Sequence, residues 1–212
     1  NRGAIAPGYL ADFAVIDNFK DFNVEMVFKK GVLYWNNGEL RDFDAPQIEE
    51  YLDKRAHDTF HVATLTPDDF RDTRQRGVLG MVPGEIITTD NGYADHVDLE
   101  KDILKIAVVE RHKGTHHIGL GYIQGYGLRS GAVATSISHD SHNIIVVGTN
   151  SADMAFAANY IVEHHGGIVV VENGVVKGSV VLEIAGIMSD RPLTEVNDQL
   201  EAAKAAAFEL GV

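Results

Sequence analysis

The stretch "IIVVGTNSADMAFAANYIVEHHGGIVVVENGVVKGSVV", residues 144–181, determines most of what the sequence predicts about the fold. Its apolar run Ile144–Val147 indicates a buried strand. After a polar N-cap region at Asn150, apolar residues follow at helical spacing until a double glycine, which is typical of a helix end. Asn173-Gly174 then separates two apolar runs and is the strongest short-range signal for a β-hairpin. Strand, helix and hairpin in this order predict an α+β domain, a sheet with packed helices.

The N-terminal region has a different pattern, made of short β segments. Residues 1–43 contain a hairpin predicted from Glu25–Phe28 and Val32–Trp35, with Lys30-Gly31 at its turn. Asn37-Gly38 marks a second turn. This region therefore predicts a small, separate portion of sheet ahead of the α+β domain.

The signals between these two regions are weaker. Residues 45–58 have helical spacing with few apolar positions, which indicates a short exposed helix or a linker. Pro67 marks the start of another helix. Strands are predicted at Glu85–Thr89 and Ile103–Glu110, separated by polar sequence that carries Asn91-Gly92.

Glycines recur through residues 118–135, namely Gly119, Gly121, Gly125, Gly127 and Gly131. The dinucleotide-binding fingerprint needs G-x-G-x-x-G between a strand and a helix, and the spacing here differs from it by one residue. We therefore expect these glycines to let the backbone pass close to another group rather than to bind a nucleotide. A last amphipathic helix is predicted near the C-terminus, capped by Thr194 and ending at Gly211.

Composition and charge exclude several classes of function. The 212 residues are 45% hydrophobic and carry a formal net charge of −13, so no basic surface is available for nucleic acid or for an anionic membrane. No apolar run approaches the roughly 20 residues of a membrane span. The chain has no cysteine, which excludes disulfides and thiolate metal sites and agrees with a reducing cytoplasm.

The first residues, "NRGAIAPGYLADFAVID", contain no initiator methionine and no signal peptide. We therefore expect the chain to be a fragment, or the ordered part, of a longer protein.

The polar cluster "SHDSHN", residues 138–143, is the densest group of chemically active side chains. If it forms a loop between strands, His139, Asp140, Ser141, His142 and Asn143 can converge on one cleft. A histidine next to an aspartate suits general acid or base catalysis, because a second polar group fixes its tautomer. The alternative is a polar turn whose Asp, Ser and Asn side chains bond to their own backbone. The sequence leaves both interpretations open.

Metal binding by this cluster is not supported by its spacing. The H-x-x-H pattern of His139 and His142 can present two ligands, but no nearby acidic or histidine pair completes a set. The H-E-x-x-H signature is absent as well. We therefore expect no metal site in this chain.

A second candidate group, Glu110, Arg111 and His112, follows a predicted strand, where the strand end would expose it. The alternative is a charged strand terminus, with His116 and His117 exposed in a turn.

Several of these segments resemble bacterial adenine deaminases of the amidohydrolase superfamily. The most specific are "GAVATSISHDSHNIIVVGTNSADMAFAANYIVEHHGGIVVVENGVV", residues 131–176, and "LEIAGIMSD", residues 182–190. Residues 102–128 are similar to the segment just upstream in that family. The opening "RGAIAPGYLADFAVID" resembles the point where an amidohydrolase chain leaves its catalytic barrel and re-enters a small β-sandwich. The motif G-x-I-A-x-G-x-x-A-D is matched there by Gly3, Ile5, Ala6, Gly8, Ala11 and Asp12.

The resemblance implies a domain organisation and an activity for the parent protein. Residues 1–44 would be re-entrant strands of the β-sandwich, residues 45–80 a helical connection, and residues 81–212 the C-terminal α+β domain. The parent enzyme would hydrolyse adenine to hypoxanthine and ammonia with a hydroxide activated by a divalent metal, manganese or iron. The metal ligands of such enzymes lie in the barrel, and none of those motifs occurs here. The resemblance thus implies a cytoplasmic, homo-oligomeric enzyme whose C-terminal region is inactive alone.

For the site, the resemblance suggests that the 138–143 cluster faces the barrel mouth of the intact enzyme. His139, Asp140 and His142 are then the catalytic candidates. The candidates for binding adenine are Ser141, Asn143, Glu110, Arg111 and His112. The alternative is a non-catalytic domain that builds an oligomer interface and covers the barrel.

Overall fold

A computed structural model describes residues 1–42 and 47–212, and their contacts divide the chain into two units, Asn1–Ile48 and Glu49–Val212. The strands are β1 (Phe13–Ile16), β2 (Val24–Lys29), β3 (Val32–Asn36), β4 (Glu39–Leu40), β5 (Arg76–Met81), β6 (Thr88–Ala94), β7 (Ile103–Val109), β8 (Ile118–Gln124), β9 (Ala132–Thr135), β10 (Ile144–Gly148), β11 (Gly167–Glu172) and β12 (Val175–Val181). The helices are α1 (Glu50–His57), α2 (Ser151–Glu163) and α3 (Leu193–Glu209), with a 3₁₀ helix at Pro67–Phe70. In this described part of the chain, every helix is too short or too polar to cross a membrane. The predicted α+β class is confirmed.

The N-terminal unit is a four-stranded antiparallel sheet in the order β1-β2-β3-β4. The hairpin predicted around Lys30-Gly31 is confirmed, and both residues have the positive φ that such a turn requires. The Asp12 carboxylate accepts the Lys30 backbone N–H at 2.6 Å and the Arg2 side chain at 2.8 Å. These hydrogen bonds lower the pKa of Asp12 to about 2. Asp12 therefore fixes the start of β1 against the hairpin turn.

The second unit is built on an eight-stranded sheet in the order β12-β11-β9-β10-β7-β8-β5-β6. All its strand pairs are antiparallel except β5 with β8, which run parallel. Because side chains alternate between faces along a strand, the central strands present two separate surfaces.

Helix α2 covers one face of the sheet. It packs on β9, β10 and β11, and its Met154, Ala158 and Ile161 are buried against them. The strand residues of this core have no exposed surface: Ala107, Val109, Ala132, Ala134, Ile144, Val146, Val169 and Val171. This is the main core of the unit.

Helix α3 lies on the opposite face and packs on β12 and β11. Its Ala206 and Leu210 pack with Leu104, Val147 and Val170, which alternate with the residues under α2. The backbone of β12 comes close to this helix at Gly178, where a Cβ atom would lie 2.8 Å from the Cα of Ala203. Small residues at both positions therefore permit the contact.

Asp153 connects the start of α2 to the turn of the β11–β12 hairpin. Its side chain is buried and accepts the backbone N–H groups of Asn173 at 3.2 Å and Gly174 at 2.8 Å. Asn150 caps the helix as predicted, accepting the Asp153 N–H at 2.8 Å. The strand, helix and hairpin of residues 144–181 thus form one hydrogen-bonded unit.

The glycine-rich segment forms β8 and the chain that leads into β9. The expectation that its glycines permit a close backbone approach is confirmed at two positions, both with positive φ. A Cβ atom on Gly127 would lie 2.4 Å from the carbonyl oxygen of Gly211, and one on Gly131 would lie 2.0 Å from that of Val171. Neighbouring backbone therefore excludes a side chain at both positions.

The prediction for β6 was wrong in its position. The strand runs over Thr88–Ala94, so it contains Asn91-Gly92 and omits Glu85 to Ile87. β6 lies at the edge of the sheet, where polar side chains remain in water, and Asn91 donates a hydrogen bond to Gln124 of β8 at 2.7 Å. β5 and β8 were not predicted as strands, because glycines interrupt their apolar pattern.

The helix starts differ from their predictions in detail. α1 forms within the predicted 45–58 segment, of which residues 45 and 46 lie outside the described residues. α3 begins at Leu193 with Pro192 as its N-cap residue, so Thr194 lies inside the helix and does not cap it. Proline at this position sets the backbone without a side-chain hydrogen bond.

The predicted domain boundary between residues 44 and 45 lies outside the described residues, and the one between residues 80 and 81 falls within β5; both stay predictions.

Replacing Gly131 tests the close backbone approach in the second unit. Gly131→Ala places a Cβ against the Val171 carbonyl and strains a residue at φ 79°, so we expect the free energy of unfolding to fall by more than about 3 kcal/mol. Gly174→Ala is the matched control, because Gly174 has φ 71° with nothing within 4 Å of a Cβ, and its cost is about 1–2 kcal/mol. Urea denaturation measures both variants. Equal losses would show that the contact with Val171 is unimportant.

Candidate functional site

Two loops at one end of the eight-stranded sheet contain every site residue predicted from the sequence. Val109, at the end of β7, pairs with Ile144 at the start of β10 and with Ile118 at the start of β8. The connection from β7 to β8 (the 110–117 loop) and the connection from β9 to β10 (the 136–143 loop) therefore leave the sheet side by side. The fold brings together two clusters that lie about 30 residues apart in sequence.

Arg111 is the central side chain of this region and is only 2% exposed. Its Nε donates to the carbonyl of His142 at 2.5 Å, and its Nη2 donates to the carbonyl of Ala185 at 2.9 Å. Its Nη1 donates to the carbonyl and hydroxyl oxygens of Thr59 at 2.8 and 3.0 Å. The guanidinium carbon lies 4.2 Å from the centroid of the Phe60 ring, a cation–π contact. One side chain thus connects three segments that are distant in sequence.

The environment of Arg111 contains neutral acceptors only. All four of its side-chain hydrogen bonds go to carbonyl or hydroxyl oxygens. Burial lowers the pKa of Arg111 below its ordinary value, because desolvation disfavours the charged form. A guanidinium nevertheless stays protonated in proteins. Its charge is accommodated by carbonyl dipoles, and its donors face the protein rather than an open cleft.

Glu110 organises the 110–117 loop from within. Its carboxylate accepts the backbone N–H groups of His112 at 2.6 Å and Lys113 at 2.9 Å, and the hydroxyl of Thr115 at 2.8 Å. Desolvation by burial raises the pKa of Glu110, but these hydrogen bonds outweigh it and lower the pKa to about 2. Glu110 is therefore ionised at neutral pH and holds the loop in a tight turn.

Direct hydrogen bonds join the two loops. The Nε2 atom of His112 donates to the carbonyl oxygen of Ser141 at 2.8 Å, which fixes the tautomer of this ring. The side-chain oxygen of Asn143 accepts the Arg111 backbone N–H at 3.4 Å. Glu110, Arg111, His112, Ser141 and Asn143, the predicted substrate-binding residues, thus form one connected network.

Of the three predicted catalytic residues, His139 and Asp140 lie on the outer side of the 136–143 loop and His142 is partly buried. The side chains of His139 and Asp140 are 88% and 83% exposed, and the Nδ1 atom of His139 lies next to a carboxylate oxygen of Asp140. The rings of His139 and His142 meet edge to face with centroids 6.5 Å apart. His142 is less exposed, and its Nδ1 is buried without a hydrogen-bond partner. This atom is a polar group whose partner the described residues do not supply.

The exposed pair of His139 and Asp140 has the composition of a proton-transferring group. A carboxylate next to an imidazole fixes its tautomer. Hydrogen bonding to a ligand becomes strong only when water is excluded, and here both side chains face solvent. The pair therefore needs a second protein surface above it to act on a substrate.

The described residues do not fit a metal centre. Nowhere in residues 1–42 and 47–212 do three His, Cys, Asp or Glu side chains gather as a ligand set. His139 and His142 present their rings edge to face, and the nearest carboxylate already pairs with His139. A catalytic zinc site, for comparison, uses three protein ligands.

Sequence reasoning missed the long-range partners of these loops. Thr59 and Phe60, in the segment before the 3₁₀ helix, gave no signal, while Ala185 lies in the "AGIMSD" motif without an assigned role. His116 Nε2 also lies 3.0 Å from a carboxylate oxygen of Asp69. The pKa of Asp69 is lowered, chiefly by the backbone N–H of Thr66. These contacts join residues up to 74 positions apart, so no local pattern indicates them.

Arg111→Met tests the network of carbonyl acceptors. The substitution leaves three partly buried carbonyl groups without their donor, so we expect the free energy of unfolding to fall by about 2–5 kcal/mol. Arg111→Lys keeps the charge but lacks the planar fork, and we expect an intermediate loss. Arg71→Met, at an exposed ion pair with Asp68, is the control and costs less than about 1 kcal/mol. Chemical denaturation compares the three variants. An Arg111→Met variant as stable as the control would contradict this role.

Glu110→Gln tests the hydrogen bonds of the 110–117 loop through pH. The folded pKa of about 2 lies below the ordinary glutamate value, so the ionised form stabilises the folded state above pH about 4.5. That contribution is lost as the pH falls from about 4.5 towards 2. We expect the stability difference between wild type and variant to be constant above pH about 5 and to shrink below it. A difference that stays constant to pH about 2 would refute the assignment.

Comparison with known proteins agrees with the resemblance read from the sequence. A family model described as "Adenine deaminase C-terminal domain" matches residues 84–212. The chain is 38% identical over 223 residues to adenine deaminase 1 of Rhizobium etli, covering 100% of this chain and 38% of that protein. It is 39% identical to the adenine deaminases of Petrotoga mobilis and Dehalococcoides mccartyi, covering 99% of this chain and 38% of each relative. The chain thus spans a little over a third of the length of these curated relatives, and it belongs to the adenine deaminase C-terminal domain family.

Proposed function

We propose that this chain is the C-terminal region of an adenine deaminase, an enzyme that hydrolyses adenine to hypoxanthine and ammonia. The observation that carries the proposal is the family match over residues 84–212, which includes both loops of the candidate site. The relatives that match nearly the whole chain are named adenine deaminases. We also propose that this region is inactive by itself; in support, its described residues contain no group of three potential metal ligands.

The 136–143 loop supplies side chains to the mouth of the active site in this proposal. His139 and Asp140 project from the loop, and the loop is held from behind by Arg111 through the His142 carbonyl. An imidazole donates or accepts a hydrogen bond at a purine ring nitrogen, depending on its tautomer. His139 would orient the purine, and Asp140 would fix the tautomer of His139. The buried Nδ1 of His142 is a further donor or acceptor on the same loop.

The divalent metal, manganese or iron, would belong to the part of the enzyme outside this chain. There it would activate the water that attacks the adenine ring. The residues of this chain would bind, orient or shield the substrate and would not coordinate the metal.

The alternative function is a non-catalytic domain that covers the catalytic part and builds an oligomer. The observation that favours it is that the side chains of Arg111 and Glu110 are hydrogen-bonded within the protein. Arg111 donates to three backbone carbonyls, and Glu110 accepts from its own loop. In that case only the shape of the two loops matters to the enzyme. We also propose that the enzyme is a homo-oligomer and that it is cytoplasmic; the absence of cysteine agrees with the second point only.

Substitutions in a full-length adenine deaminase that carries this region separate the two functions. If the loop orients adenine, His139→Ala and Asp140→Asn lower kcat/KM by roughly 10- to 100-fold, because positioning a reactant has effects of this size. His142→Asn keeps a residue that tolerates positive φ and tests the buried Nδ1. His96→Ala, at an exposed histidine outside both loops, is the control and leaves kcat/KM unchanged.

The thermal unfolding midpoint of each variant is measured alongside adenine turnover. Because His139 and Asp140 are exposed, we expect unchanged midpoints. Unchanged kcat/KM in all three loop variants would instead support the non-catalytic domain.

A further inference from the structure

The central strands of the sheet are apolar on both faces, and this chain fully covers only one face. On the α2 side, four residues of β7 and β10 have no exposed surface: Ala107, Val109, Ile144 and Val146. On the other side, the alternating residues Ile106 and Ile145 are partly exposed, and Val108 is 37% exposed. The same two strands are thus dry on one face and partly exposed on the other, where Leu104 and Val147 are buried but Ile106, Val108 and Ile145 are not.

The open face continues into a groove next to the β5–β6 connection. Ile106, Val133, Ile145 and Val147 line a cavity of about 350 Å³ on the sheet. Its outer wall is formed by Met81, Ile86 and Ile87, all exposed to solvent. We call this set of seven residues, together with Val108, the open apolar face.

The chain's own elements cover this face only in part, for a geometric reason. α3 packs on β12 and β11, at one side of the sheet, and reaches the centre through Ala206, Ala207 and the chain end at Leu210. No charged residue of β7, β9 or β10 lies on the open face, because the one charged residue of these strands is Lys105. The Lys105 amine donates to the Phe70 carbonyl, and Phe70 belongs to the core under α2.

Strands that are apolar on both faces are typical of sheets that are covered on both faces. Exposed apolar surface of this kind is unfavourable in water, and a continuous patch rimmed by polar residues marks an interaction site. The sequence "IIVVG" of β10 therefore agrees with a sheet that has a second cover.

We infer that the open apolar face is the surface on which the remainder of a full-length adenine deaminase packs. The inference rests on the proposed function and names the partner of this region. The curated relatives are longer than this chain, which corresponds to 38% of their length, so the remainder is attached to the same polypeptide. Attachment gives the remainder a high effective concentration at this face.

The position of the face agrees with this partner. Val108 and Ile145 are register partners on neighbouring strands. Val108 lies two positions before the 110–117 loop, and Ile145 lies two positions after the 136–143 loop. A protein body on the open face therefore lies next to His139 and Asp140, which need a second surface above them to act on a substrate. One docking event would cover the apolar strands and enclose the exposed pair.

Cysteine labelling tests the inference, because the chain contains no cysteine of its own. Val108→Cys and Ile145→Cys are made in this 212-residue chain and in a full-length adenine deaminase that carries it. A small maleimide reagent and peptide mass spectrometry give the labelling rate at each position. Phe208→Cys, at a site on α3 that is 70% exposed, is the matched control.

We expect both face positions to react at least roughly tenfold more slowly in the full-length protein, because access then requires local opening. The control should react at equal rates in both proteins. Equal rates at Val108→Cys and Ile145→Cys would overturn the inference. Protection of the isolated chain that increases with its concentration would also overturn it, because a second copy would then be the partner.

Adenine turnover by the full-length variants is measured in the same samples and keeps the two proposals separate. If the protein turns over adenine while Val108→Cys and Ile145→Cys are labelled at the rate of the isolated chain, the docking surface is contradicted and the proposed function is not. Protected positions in a protein without adenine turnover would support the docking surface and contradict the proposed function.

Discussion

The need to cover apolar strands on two faces governs the second unit. β7 and β10 carry Ile, Ala and Val at nearly every position, so neither face of the sheet centre is suited to water. α2 meets this need on one face, where the strand residues are completely buried. α3 meets it only at one side of the other face, through alanines that allow close packing on β12. The order of the strands, the placement of the helices and the remaining open apolar face all follow from this constraint.

The burial of Arg111 is the second constraint, and it shapes the loops. A guanidinium removed from water must find acceptors for its N–H groups, because an unpaired buried charge is strongly destabilising. Arg111 finds them on the backbone of Thr59, His142 and Ala185. Since these groups come from three separate segments, the conformation of the 136–143 loop depends on one side chain of the neighbouring loop. His139 and Asp140 are therefore exposed on a loop whose backbone is held in place by Arg111.

The elements with local signals were predictable from the sequence. The capped helix α2 and the turns at Lys30-Gly31 and Asn173-Gly174 formed as expected, because capping and positive φ are properties of a few adjacent residues. β5, β6 and β8 were missed or misplaced, because an edge position and glycine contacts make polar or small residues acceptable in a strand. The two polar clusters of the candidate site were recognised, but their hydrogen bonds were not. Arg111, for example, looked like an exposed residue at a strand end and is buried.

The sequence by itself determined the α+β class, the main helix and hairpins, the family resemblance and the positions of both polar clusters. These depend on periodicity, turn chemistry and motifs, which act over a few residues. Only the tertiary structure decided that the two clusters meet, that Arg111 and Glu110 bond within the protein, and that one apolar face stays open. Each of these results depends on which strands become neighbours, and that choice is made by contacts between residues far apart in the chain. The fold therefore converts two unrelated polar segments into one network beside an uncovered apolar surface.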